Sequence, residues 1–222
     1  MKNKRDVVEN IRRSRIVAIL RGIYDDQAMY IIETLLQGGI NCVEVPFDQC
    51  QLDEQTVRTV DKAVQTYGSD LIVGTGTVMS CEQVEISAQA GAQFLLSPNV
   101  DSDVIQQAFK LGLVCIPGAY TPTECAKAWS DGADIVKLFP AGVGGITYLR
   151  ALINGPLNHI PFMAVGNISI DDAAQYLKNG ACAVGLGSSL VGSTGEPQGL
   201  SVLQQRIKHL MRTIEGIETM YI

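Results

Sequence analysis

Charge is scarce in this chain of 222 residues, and what there is leans acidic: 17 Lys and Arg stand against 23 Asp and Glu, a formal net charge of −6. No basic block occurs, which argues against a partner with a nucleic-acid backbone or an anionic membrane surface. Long apolar runs are missing too; none approaches the roughly 18–20 residues a membrane helix needs. The opening MKNKRDVVENIRRSR is polar with no apolar stretch behind it, so no secretory leader is expected. Histidine is down to His159 and His209, which form no ligand pair, so neither a zinc site nor any other metal is expected. Six cysteines (Cys42, Cys50, Cys81, Cys115, Cys125, Cys182) show no Cys-x-x-Cys spacing, and several lie in or beside apolar runs. They read as reduced, structural thiols of a cytoplasmic protein.

Apolar residues, by contrast, make up 46% of the chain, enough for an ordinary globular interior and too many for disorder. Eight short apolar runs recur: 16–20 (IVAIL), 42–45 (CVEV), 71–73 (LIV), 94–96 (FLL), 114–116 (VCI), 135–139 (IVKLF), 162–165 (FMAV) and 183–186 (AVGL). Their length and branched content suit strands of a parallel sheet buried on both faces. Between them lie helical periods, clearest at Ala28, Ile31, Ile32, Leu35 and Leu36, with Asp25 or Asp26 as candidate cap. Many of the 22 glycines punctuate this rhythm: Gly38-Gly39, Gly91, Gly112, Gly132 and Gly180 each stand between a helical period and the next strand run. Eight βα repeats with no linker predict an α/β fold, a single (β/α)8 TIM barrel over residues 1–222. A loop rich in glycine is expected at 192–197, ahead of a last helix carrying Leu203, Ile207, Leu210 and Ile214.

In such a barrel, function gathers at the C-terminal ends of the strands. Two charged residues interrupt apolar strand runs, Glu44 in NCVEVPF and Lys137 in DIVKLFPA. They fall on the second and sixth runs, both even, so both can point into the same interior. A desolvated amine has a lowered pKa and becomes a nucleophile, and a carboxylate beside it can move protons: the minimum for Schiff-base chemistry on a ketone. The plainer reading is a snorkelling lysine paired with a strand glutamate. Arg21, directly after the first run, offers a fork for a carboxylate or phosphate. Val73-Gly74-Thr75-Gly76-Thr77-Val78 has no third glycine and is no dinucleotide fingerprint; it reads as a tight turn after the third run, with Thr77 able to orient a polar group. Gly166-Asn167 and Gly187-Ser188-Ser189 follow the last two runs, where barrels bind phosphate through backbone N–H groups.

These ordered segments (IVAILRG, VEV, VGTGTV, FLLSPN, IPGAYTPTE, VKLFPA and VGLGSSL) together resemble the class I aldolases acting on 2-keto-3-deoxy-6-phosphogluconate and 4-hydroxy-2-oxoglutarate, the KDPG/KHG aldolase family. The resemblance implies a homotrimer of barrels that cleaves a 2-keto acid reversibly to pyruvate and an aldehyde without metal or organic cofactor. By position it makes Lys137 the Schiff-base lysine and Glu44 the general acid/base. It places Thr77, Pro98 and Phe139 in the pyruvate pocket and Arg21 at an arginine that many members carry. Val165, Gly166, Gly187 and Ser188 fall in the substrate-binding turns, Ser188 on the phosphate. The chain departs from the gluconate pattern where E-x-T-x-R becomes Glu44-Val45-Pro46-Phe47-Asp48, and where T-G-G becomes Val165-Gly166-Asn167. Valine there and proline after Val45 look more like the 6-phosphogalactonate branch. Two other readings stay open: a phosphosugar isomerase or epimerase, which has no use for Lys137, and a non-catalytic aldolase-like binding barrel.

Overall fold

A computed structural model describes residues 3–50, 53–192 and 199–217. Nine parallel strands run in the order β5-β4-β3-β2-β1-β9-β8-β7-β6: β1 (Ile16–Ile19), β2 (Cys42–Pro46), β3 (Ile72–Gly76), β4 (Phe94–Leu96), β5 (Val114–Ile116), β6 (Gly118–Ala119), β7 (Val136–Leu138), β8 (Phe162–Val165) and β9 (Ala183–Leu186). The expected count was eight. β5 and β6 are two halves of one stave, separated by Pro117, whose missing N–H interrupts the ladder. β5 pairs with β4 and β6 with β7, so this broken stave closes the barrel.

The eight apolar runs match the eight longer strands because side chains alternate between two buried environments. Val17, Ile19, Cys42, Ile72, Phe94, Leu96, Val114, Ile116, Met163, Val165 and Ala183 share the barrel interior. Their neighbours Ile16, Ala18, Val43, Val45, Val136, Leu138 and Phe162 pack outward under the helices. By the same alternation Glu44 and Lys137 face inward.

The helical layer consists of α2 (Asp25–Gln37), α3 (Glu54–Tyr67), α4 (Cys81–Gln89), α5 (Ser102–Lys110), α6 (Pro122–Ser130), α7 (Ala141–Ile153), α8 (Ile170–Lys178) and α10 (Leu200–Ile214). A short α9 (Ser188–Val191) precedes α10, and α1 (Lys4–Ser14) precedes β1. The latter plugs the N-terminal end of the barrel, inserting Val7 and Ile11 into the interior cluster. Gly39, Gly91, Gly112, Gly132 and Gly180 all have positive φ, the left-handed turn expected after each helix. Asp25 and Asp26 do not cap α2. They stand in its first turn and bind Arg58 and Lys62 of α3 at 2.7 and 2.5 Å, while Tyr24 occupies the cap position without a side-chain capping bond. Of the loop expected at 192–197, residues 193–197 lie outside the described residues. The last helix buries Leu203, Ile207, Leu210 and Ile214 as its period predicts.

Candidate active site

Lys137 is carried by β7, where its N–H donates to the Pro117 carbonyl at 2.9 Å. Its side chain runs inward among apolar neighbours, is only 6% exposed, and sets Nζ 4.4 Å from the centre of the Phe139 ring. Glu44, 2% exposed, enters the same interior from β2. Burial is the main influence on both groups and favours their neutral forms: it raises the Glu44 carboxyl and lowers the Lys137 ammonium. Their mutual attraction works against burial in each case, and Arg21 lowers both. The pair is not in direct contact at ion-pair distance. Glu44 Oε2 is buried without a hydrogen-bond partner, a state a carboxylic acid endures far better than a carboxylate.

Gly76 explains how the carboxyl fits. A methyl group there would overlap Glu44 Oε1, so the bare backbone of β3 is the surface on which the acid rests. This corrects the reading of VGTGTV as a turn. The strand continues through Gly76, and Gly74 is small because the Phe94 ring and carbonyl press on it from β4. Only then does the chain turn, at Thr77, whose φ of 56° is left-handed and rare for a branched residue. Gln49 holds the Thr77 carbonyl at 2.9 Å, and Arg21 brings Nη2 to 3.5 Å from its hydroxyl.

Above these groups opens a cavity of about 990 Å³. Of the residues singled out in the sequence, Arg21, Thr77, Pro98, Lys137, Phe139, Gly166, Gly187 and Ser188 stand on its wall. Val165 does not; it is buried one layer down, where its methyl groups cover Gly185. Asp48, the acid in place of an arginine, is also off the wall. Its Oδ1 accepts from the Cys50 N–H at 3.0 Å, and its charge is felt by Tyr24.

The far end of the cavity is built from backbone. Gly166 and Asn167 both have positive φ, 95° and 55°. The Gly142 N–H donates to the Gly166 carbonyl at 2.9 Å, and a methyl group at Gly142 would overlap the Asn167 carbonyl. With both carbonyls turned toward α7, the trans peptides send the N–H groups of Asn167 and Ile168 the opposite way, a concavity suited to an anion. Sequence reasoning missed Ser169 and Asp172 on this wall. Their signal was present as Ser-x-x-Asp, a helix-start pattern, which gives no hint that the start of α8 faces a cavity.

Among the described residues no group of three or more His, Cys, Asp or Glu could hold a metal ion, and no helix is long and apolar enough to cross a membrane. Cys50, Cys81, Cys115, Cys125 and Cys182 are free thiols, and burial pushes Cys115 and Cys182 up to about 12, far from reactivity.

Comparison with known proteins gives this geometry a family. The chain is 35% identical to 2-dehydro-3-deoxy-6-phosphogalactonate aldolase of Escherichia coli K12, covering 79% of this chain and 83% of that one. It is 34% identical to 2-dehydro-3-deoxy-phosphogluconate aldolase of Pseudoalteromonas atlantica over 71% and 72%. A solved native KDPGal structure superposes with a TM-score of 0.81 at 33% identity, covering 89% of this chain and 93% of that one. The model of the KDPG and KHG aldolases matches residues 7–199, and the chain belongs to that family.

Proposed function

We propose that this protein is a class I aldolase that cleaves a 2-keto-3-deoxy-6-phospho sugar acid, of the phosphogalactonate or phosphogluconate type, reversibly to pyruvate and glyceraldehyde 3-phosphate. 4-Hydroxy-2-oxoglutarate, which gives pyruvate and glyoxylate, is the alternative substrate. The observation that carries this reading is the buried Lys137 amine, held toward its neutral form at a cavity wall with the Glu44 carboxyl in the same interior. Neutral Lys137 attacks the C2 carbonyl, and the carbinolamine loses water to an iminium. The Glu44 acid gives its proton to the hydroxyl that leaves as water, and its carboxylate then takes the C4 hydroxyl proton as the C3–C4 bond breaks. The electron pair passes to the iminium as an enamine, and the aldehyde leaves. Glu44 supplies the proton to C3, and water returns to C2 to release pyruvate and restore the amine. In this reading Arg21 and Thr77 orient the carboxylate of the keto acid, and Pro98 and Phe139 pack its apolar side. The turns at Gly166 and Gly187-Ser188 take the distal group.

Incubation with pyruvate followed by borohydride, read by mass spectrometry, is expected to show a stable adduct on Lys137 that is lost in Lys137→Ala. A folded protein without the adduct rules this chemistry out in favour of a non-catalytic binding barrel. An isomerase or epimerase would instead turn over phosphosugars with Lys137 replaced. By the same family relationship we infer that all 222 residues form one aldolase barrel and that it works in the cytoplasm as a homotrimer using no cofactor. Light scattering of the purified protein checks the assembly.

A further inference from the structure

The distal end of the cavity is electrostatically odd for a phosphate site. Its wall carries Gly166, Asn167, Ser169, Gly187 and Ser188, all neutral, and one charged side chain, the carboxylate of Asp172. The cations of the wall are Lys137, whose charge burial disfavours, and Arg21, whose guanidinium leans away from this end toward Thr77 after β3. Asp172 is held by a hydroxyl and the start of its own helix, with no cationic side chain beside it among the described residues. Its Oδ2 accepts from the Ser169 hydroxyl at 2.6 Å, and its N–H donates back to that oxygen at 3.1 Å. Neighbouring Asp171 has His209 at 2.6 Å, whereas Asp172 has no basic partner among the described residues. The positive end of the α8 dipole, which elsewhere would attract a ligand anion, is therefore already taken by the protein's own carboxylates.

We infer that Asp172 is a specificity-determining residue that disfavours a doubly charged phosphate at the distal end, relative to a singly charged one or a neutral hydroxylated terminus. This rests on the aldolase reading above for its kinetics, but not for its binding. A −1 charge facing a −2 group across a solvated cavity is worth about 10-fold in affinity. Donors on the backbone still hold the anion; Asp172 sets how much charge they accept.

The test compares aldol addition of pyruvate to glyceraldehyde 3-phosphate and to unphosphorylated glyceraldehyde. Asp172→Asn keeps an acceptor for Ser169 and is expected to raise the phosphorylated-to-unphosphorylated ratio of kcat/KM about 10-fold. Asp172→Glu, which keeps the charge, should preserve the wild-type ratio. A second arm needs no turnover: the affinity for inorganic phosphate, measured at about pH 6 and about pH 8 across its second ionisation. Wild type should bind more weakly at the higher pH, and Asp172→Asn should bind more tightly with most of that fall removed. An unchanged ratio and an unchanged phosphate affinity in Asp172→Asn would overturn the assignment, as would a ratio moved equally by Asp172→Glu, which keeps the charge and so marks a structural role. Exchange of pyruvate methyl protons with deuterated water, followed in wild type, reports the aldolase reading separately. If exchange is absent that reading falls, and the phosphate arm still decides the role of Asp172.

Discussion

Glu44 shows how a single residue is tuned by what surrounds it. Its carboxyl is raised first by burial, and the Lys137 and Arg21 charges only partly offset this. An acid with a raised native pKa binds its proton more tightly folded than unfolded. Its contribution to stability is therefore fully present below the ordinary carboxylate value of about 4.3 and declines as pH rises toward the native value. Glu44→Gln removes that decline, so the variant should gain stability relative to wild type as pH is raised through this window, as followed by urea denaturation. A pH-independent difference would contradict a raised pKa. The same substitution should slow pyruvate proton exchange by roughly 10²–10⁴-fold. Both charges were legible in the sequence, because a charged residue inside an apolar strand run is conspicuous. Gly76 was not: the space it leaves for the carboxyl depends on the register of β2 against β3, which no local pattern encodes.

Among the elements, the first turn of α7 has an effect that its own residues would not suggest. Gly142 supports the turn after β8 from behind, by one hydrogen bond and by having no side chain. Gly142→Ala forces the Asn167 carbonyl to move and tilts the two N–H groups that face the cavity. The expected result is a KM for the phosphorylated aldehyde raised roughly 10-fold, the loss of one or two charge-assisted hydrogen bonds, with kcat reduced much less. Steady-state kinetics against that aldehyde decide it; an equal fall in kcat would place the effect on the chemistry instead. Strands and helices were readable as elements because eight apolar runs and their closing glycines repeat one grammar. β6 escaped because Gly118-Ala119 has no apolar signature, and Pro117 before it reads as a break. The approach of α7 to β8 is a tertiary event between segments some 25 residues apart in sequence and left no trace there.

At the scale of the whole molecule, the barrel divides its labour between its ends. α1 closes one end with Val7 and Ile11, and the cavity opens at the other. Ile11 is fully buried, and Ile11→Ala should cost about 2–5 kcal/mol of unfolding free energy. Because the wall of the cavity is untouched, kcat/KM should stay within about two-fold of wild type, in keeping with a stability face opposite a catalytic face. A large loss of activity in folded protein would show the ends to be coupled. The fold class followed from length, alternation and repeat number alone, while the arrangement of charge on the cavity wall did not, since Arg21 and Asp172 share that wall only through the pairing of β1 and β8 with β9. The ring itself closes through the stave that Pro117 divides. Each joint around the hoop is a ladder of hydrogen bonds, and the stave made of β5 and β6 lends one half to each neighbour, β5 to β4 and β6 to β7. The lysine's own amide hangs from the carbonyl of Pro117, so the backbone beneath the amine is tied to the one place where the ladder changes hands.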